Sequence, residues 1–232
     1  MLKKSFIAAA ILVIHGAALW AGDTASFVDL GFSPDGKVYM FAQYGVSSTT
    51  LKPWADLFAV DVPRNDFVSG GKVSYSSNNP INAGNDGIGA FYRIISQNSA
   101  LANRYGVDYL RQGHPLYVAL DSEEENLPGE SIEFRDFKRG FSYQARLIPT
   151  VEGSGANLKS SFYISLNRIG PAGDRKTFSV GNPEIKRPQI AAYRIKRVIA
   201  SPLDNSVIFV IETRKAAASG YDIRYMVETL RP

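Results

Sequence analysis

Residues 31–45, GFSPDGKVYMFAQYG, constrain the fold more than any other stretch of this chain. Pro34 takes the first central position of a turn, Asp35 the next and Gly36 the last, the residue preference of a type I turn. In the segment that follows, Val38, Met40 and Ala42 fall on one face of a strand, and Tyr39, Phe41 and Gln43 on the other. Both faces are largely apolar, so this strand has to be covered on two sides. After a polar loop, Leu57, Ala59 and Asp61 alternate with Phe58, Val60 and Val62 until Pro63 ends the run. Residues 25–62 therefore read as a three-stranded meander.

The C-terminus repeats the plan. A strand, the turn SPLDN, the apolar run VIFVIET, a loop and YDIRYMVET follow one another, with Ser201-Pro202 where Ser33-Pro34 stood and one residue added to the turn. FSPDGK before an apolar strand, a loop and LFAVDV resembles one blade of the β-propellers built from Ser-Pro-Asp-Gly-Lys repeats. Such arrays usually need about four to eight blades, and the middle of this chain has no matching Ser-Pro turns, so a complete regular propeller is disfavoured. Between the two meanders, Ile88, Phe91, Ile95, Leu101, Ala102 and Tyr105 recur at helical spacing, with Asn85 or Asp86 to cap the start and Gly106 to close the end. The remaining segments are strand-like with Gly, Pro and Asn punctuation. The expected fold is mainly β, antiparallel meanders forming a sandwich or an incomplete propeller-like array, with one helix near residues 88–105.

The N-terminus carries the marks of an export signal. Lys3 and Lys4 supply a positive start, an apolar run follows, and Ala21 offers a small residue at a cleavage boundary. The run is broken by His15 and Gly16 and is shorter than the ~20 apolar residues a bilayer span needs. The expected organisation is a signal peptide at residues 1–21 and a single exported, mainly β domain at 22–232, periplasmic or extracellular, with no transmembrane anchor after cleavage. The chain has no cysteine, which removes a lipid-modified cysteine, disulfides, thiolate nucleophiles and Cys-ligated zinc. Charge is unevenly spread. Residues 22–130 hold 7 basic and 13 acidic side chains, and residues 131–232 hold 17 and 9. The basic half predicts a face for an anionic partner, an envelope protein or an anionic polymer, through Lys186, Arg187, Arg194, Lys196 and Arg197. On a regular strand Arg194 and Lys196 share one face, and Ile195 and Arg197 the other. Nucleic acid is not an expected partner of an exported chain.

The segments DLGFSPDGKVYMFAQYGV, ADLFAVDVPRNDFV and PLYVAL also resemble a family of predicted secreted bacterial proteins, a resemblance that implies export and no particular activity. Motifs for catalysis are scarce. His114 is the one histidine after the signal and reads as structural, at a loop-to-strand junction beside Pro115. No Gly-x-Ser-x-Gly elbow occurs, and EGSGAN around Ser154 reads as a turn. SGGKVS at 69–74 lacks the glycine spacing of a phosphate loop and reads as a hairpin turn. Asp121, Glu123, Glu124, Glu125, Glu130 and Glu133 cluster after a strand, but lack the ligand spacing of a calcium loop and read as solvated. No metal and no cofactor are expected. Trp54 and the many Tyr and Phe residues suit either sheet packing or a ligand rim. The leading expectation is an exported, non-enzymatic envelope protein acting as a binding or structural module. The alternative is a secreted glycan hydrolase using Asp121, Glu130 or Glu133 as a carboxylate pair. A third expectation is a small-ligand pocket near the loops at Ser33 and Ser201.

Overall fold

The structure, a computed structural model, describes residues 22–120, 131–217 and 220–232. The signal expected at residues 1–21 lies outside the described residues.

Strands β1 (Ser26–Phe32), β2 (Val38–Val46), β3 (Pro53–Asp61) and β4 (Asp66–Ser76) pair antiparallel in that order as an N-terminal sheet. It has one strand more than the alternation predicts. Most of β4 is exposed or only half-buried, and its hydrophobic period is brief, Val73 and Tyr75 at alternate positions. Residues 69–74, expected as a hairpin turn, lie within β4 at a shift of register opposite Phe58 and Val60. Helices α1 (Ile88–Gln97) and α2 (Ser99–Tyr105) follow where one helix was expected. The break falls at Asn98, whose backbone N–H and side-chain Nδ2 both donate to the Ile94 carbonyl and so end the first helix. Gly106 closes the second in the left-handed region, φ 62°.

A middle sheet follows from β6 (Ser131–Asp136), β7 (Phe141–Glu152) and β8 (Lys159–Ile169), with β9 (Arg175–Val180) and the short β10 (Arg187–Pro188) sharing the free edge of β8. The chain then passes through Gln189 into β11 (Ile190–Ala200), β12 (Val207–Ala217) and β13 (Gly220–Leu230). With β5 (His114–Val118) these form a C-terminal sheet of order β13-β12-β11-β5.

Three apolar clusters define the layering. Val38, Met40 and Ala42 of β2 pack under α1 and α2 with Ala90, Ile94, Leu101 and Ala102. Tyr39 and Phe41, from the other face of β2, meet Ile208 and Val210 of β12. Val207, Phe209 and Ile211, from the opposite face of β12, meet Phe134, Phe162, Ile164 and Leu166 of the middle sheet. The order is helices, N-terminal sheet, C-terminal sheet, middle sheet. The two-sided burial expected for residues 38–43 holds, and β12 repeats it. This is a sandwich-like stack of antiparallel meanders. Because helices cover the outer face of the N-terminal sheet, no ring of blades closes, and the propeller resemblance does not extend beyond the local meanders.

The two Ser-Pro turns close alike. The Ser33 amide donates to the Val38 carbonyl at 2.9 Å, and the Ser201 amide to the Ser206 carbonyl at 2.9 Å. Both serines are buried. The turns also abut, since a Cβ on Gly36 would lie 3.4 Å from an Asp204 carboxylate oxygen. No helix among the described residues is long and apolar enough to cross a membrane.

Candidate functional site

The site that the fold builds lies along β13. As an edge strand, β13 turns alternate amides outward, and three of these are capped by the chain itself. The Ile223 amide donates to the Asp23 carbonyl at 2.8 Å. The Tyr225 amide donates to Gln43 Oε1 at 2.7 Å, and the Thr229 amide to Asn65 Oδ1 at 2.6 Å. Asn65 reaches this far because it holds a left-handed conformation, φ 52°, in the turn between β3 and β4, a conformation Asn tolerates better than most residues.

Between the Gln43 and Asn65 caps opens a cleft of about 470 Å³, within the usual range for ligand sites. Its walls come from all three sheets: Phe41, Phe58 and Phe67 from the N-terminal sheet, Tyr225 to Glu228 from β13, Asn182 and Ile185 from the segment joining β9 to β10, and Arg187 from β10. Phe41 and Phe58 stack with ring centres 4.7 Å apart, and Phe58 meets Phe67 at 5.8 Å. Phe67 is 47% exposed and stands at the mouth.

One polar cluster anchors the floor. Glu228 is 5% exposed. One carboxylate oxygen accepts from Asn65 Nδ2 and the other from Arg187 Nη2 at 3.3 Å. Arg187 is held in turn over the Phe162 ring at 5.0 Å and donates to the Ile185 carbonyl. Burial pushes the Glu228 carboxyl above its ordinary range, while the Asn65 hydrogen bond and the Arg187 charge pull it back. Gly181, φ 90°, faces this carboxylate, and a Cβ there would stand 3.3 Å from its carbon.

A second site ties the start of the described chain to β13. Asp23 accepts from Trp54 Nε1 at 2.8 Å and from Arg224 Nη2 at 2.7 Å, and the Arg224 guanidinium lies 4.0 Å over the Trp54 ring. Burial raises the Asp23 carboxyl, and Arg224 opposes the rise. Trp54 is thus committed to a structural clamp.

The five basic residues expected to meet an anionic partner lie at several places in the fold. Lys186 pairs with Glu152 at 2.8 Å on the surface of the middle sheet. Arg187 belongs to the cleft. Arg194 donates to the Leu120 carbonyl at 3.2 Å. Lys196 and Arg197 together line a separate hollow of about 440 Å³ beside Phe27 and Tyr225. The expected pairing of faces on β11 is also corrected. A bulge at Lys196 shifts the register, so that Ile195 opposes Ile211 and Arg197 opposes Val210. Ile195 therefore faces the middle sheet, while Arg197 lies 5.8 Å over the Phe27 ring on the other side.

Among the carboxylates of the hydrolase expectation, Asp121, Glu123, Glu124, Glu125 and Glu130 lie outside the described residues. Glu133 is exposed on β6 and accepts from Gln144 Nε2 at 3.3 Å. The residue His114 begins β5, with Nε2 2.7 Å from Lys138 Nζ. Ser154 sits in an exposed turn. The pocket expected between the loops at Ser33 and Ser201 is replaced by direct contact of the two turns, and the hollow beside Ser33 has no wall from Ser201.

Sequence reasoning missed Asn65 and Glu228. One signal for each was present: an Asn in the turn PRND after an apolar strand, and a lone acidic residue inside YMVETL. A family model described as predicted secreted protein (DUF2259) matches residues 40–231. No curated protein and no solved structure matches the chain.

Proposed function

The chain belongs to that family of predicted secreted proteins, and from this premise we propose that it is a non-enzymatic binding protein of the envelope whose ligand site is the cleft beside β13. One observation carries the reading. Aromatic side chains from two sheets enclose a ligand-sized space whose charges, the buried Glu228 and the half-buried Arg187, are paired with each other. Such a lining favours a ligand that is mainly apolar, with few polar groups and little net charge. Of the five basic residues read from the sequence, Arg187 is the one this cleft employs, as a wall and as the counter-ion of Glu228. The export signal and the family description support the same compartment.

The test is a fluorescence titration of residues 22–232 with the neutral probe N-phenyl-1-naphthylamine, at low and high salt, beside Phe67→Ala. Saturable binding that salt leaves unchanged is expected. Loss of one aromatic contact, ~1–1.5 kcal/mol, weakens it by about tenfold in the variant. Absence of binding, or equal binding by Phe67→Ala, overturns the proposal. Binding that salt abolishes returns the argument to an anionic partner held by Lys186, Arg194, Lys196 and Arg197.

A further inference from the structure

We infer that the occupant of this cleft is an extended peptide segment of another exported protein, apolar and without net charge, which adds to β13 at Val227. The inference rests on the reading of the cleft as the ligand site and names the ligand's class.

The caps follow a pattern along one edge of β13. Outward amides on an antiparallel edge strand recur at every second residue, here 223, 225, 227 and 229. The first, second and fourth are closed by Asp23, Gln43 and Asn65. No described residue closes the third. Val227 lines the cleft and is only half-buried, and the register with β12 turns its N–H and C=O away from β12, toward the free edge.

Proteins normally cover or blunt sheet edges, because an open rung is a template for another strand. Two long-range side-chain caps that stop on either side of one rung leave a gap shaped for a short extended chain. From residue 225 to residue 229 the edge runs four steps of ~3.4 Å, about 14 Å, room for roughly three or four ligand residues. A backbone amide of that segment would bond Val227, and its side chains would enter the space between Phe58 and Phe67 on one side and Ile185 on the other. Strand addition gives affinity through main-chain bonds and selectivity through alternate side chains. The balanced Glu228–Arg187 pair selects against a charged residue at that point.

The test is competition for the bound naphthyl probe by a capped peptide of alternating Val, Ser and Phe, and by the same peptide N-methylated at its central amide. Strand pairing predicts that the parent peptide displaces the probe and that N-methylation weakens it at least about tenfold, through one lost hydrogen bond and a steric block. Val227→Pro offers the converse, since proline is tolerated on an edge strand whose N–H faces outward. Folded Val227→Pro is expected to weaken the peptide by at least about tenfold more than it weakens the probe, which makes no strand bond to residue 227; if it does not fold, the N-methyl comparison decides. Equal competition by both peptides, no competition by the parent, or concentration-dependent dimerisation that excludes the peptide would overturn the inference. Failure of the probe itself to bind would instead overturn the reading of the cleft.

Discussion

Asn65→Ala should destabilise the protein by about 3–5 kcal/mol, although the residue lies in a surface turn. Its side chain joins two sheets that are far apart in sequence. Oδ1 accepts the Thr229 amide, and Nδ2 donates to Glu228. Thr229 is 3% exposed and Glu228 is 5% exposed, so truncation leaves a buried amide and a buried carboxylate each short of a partner. Each such loss costs about 1–3 kcal/mol, and water entering the cleft relieves part of the carboxylate's share. The Thr229 hydroxyl loses little, because its shorter bond runs to the Val62 carbonyl at 2.8 Å. Alanine at φ 52° adds about 1 kcal/mol that glycine avoids. Urea unfolding of residues 22–232 at neutral pH, analysed for the parent, Asn65→Ala, Asn65→Gly and the double variant with Glu228→Gln, separates these parts. Glycine should be the milder change by about 1 kcal/mol, and the double variant should be less than additive. A loss under about 1 kcal/mol for Asn65→Ala, or full additivity with Glu228→Gln, would refute the claim that this turn clamps β13.

Two predictions concern pH and one concerns the core. The folded-state pKa of Glu228 is raised above its ordinary value of 4.5, so the stability it contributes is fully present below that pH and is lost as pH rises through the folded value. Glu228→Gln should remove this decline, seen as a difference in urea midpoint between variant and parent that changes over the same range. Asp136 has the opposite sign. Burial alone would raise it, but bonds from the Arg139 side chain and from the Arg139 and Lys138 amides outweigh this and lower it. Its contribution is present above 3.8 and is lost as pH falls through the folded value. Asp136→Asn should therefore cost about 1–3 kcal/mol at neutral pH and converge with the parent in acid, as measured by urea midpoints across the acid range. Phe41→Ala, at a ring stacked between Phe27 and Phe58 in the interface of the two terminal sheets, should cost about 3–5 kcal/mol by thermal or urea unfolding.

The strands with a clear two-residue period were legible from the sequence. VYMFAQ announced a strand buried on both faces because its apolar residues occupy both sets of alternate positions, and the C-terminal VIFVIE did the same. The Ser-Pro turns were legible because their residue types suit that backbone. Where the period failed, so did the reading. The inward face of β4 is short, Val73 and Tyr75 with Val68 across the Gly70-Gly71 irregularity, and Asn98 splits a helix whose apolar spacing continues across the break. The bulge at Lys196 left no mark in the residue types, yet it turned Arg197 away from Ile195 and set it with Lys196 in one hollow.

The candidate site was less visible still, because its parts meet only in the folded stack. Asn65 and Glu228 stand 163 positions apart, Gln43 and Tyr225 stand 182 apart, and Arg187 reaches Glu228 from a third sheet. Local sequence thus determined an exported, cysteine-free, mainly antiparallel chain with strands covered on both sides, since side-chain alternation and turn preference act over a few residues. Only tertiary structure decided which rung of β13 stays open, because capping an edge amide depends on groups that arrive from distant strands.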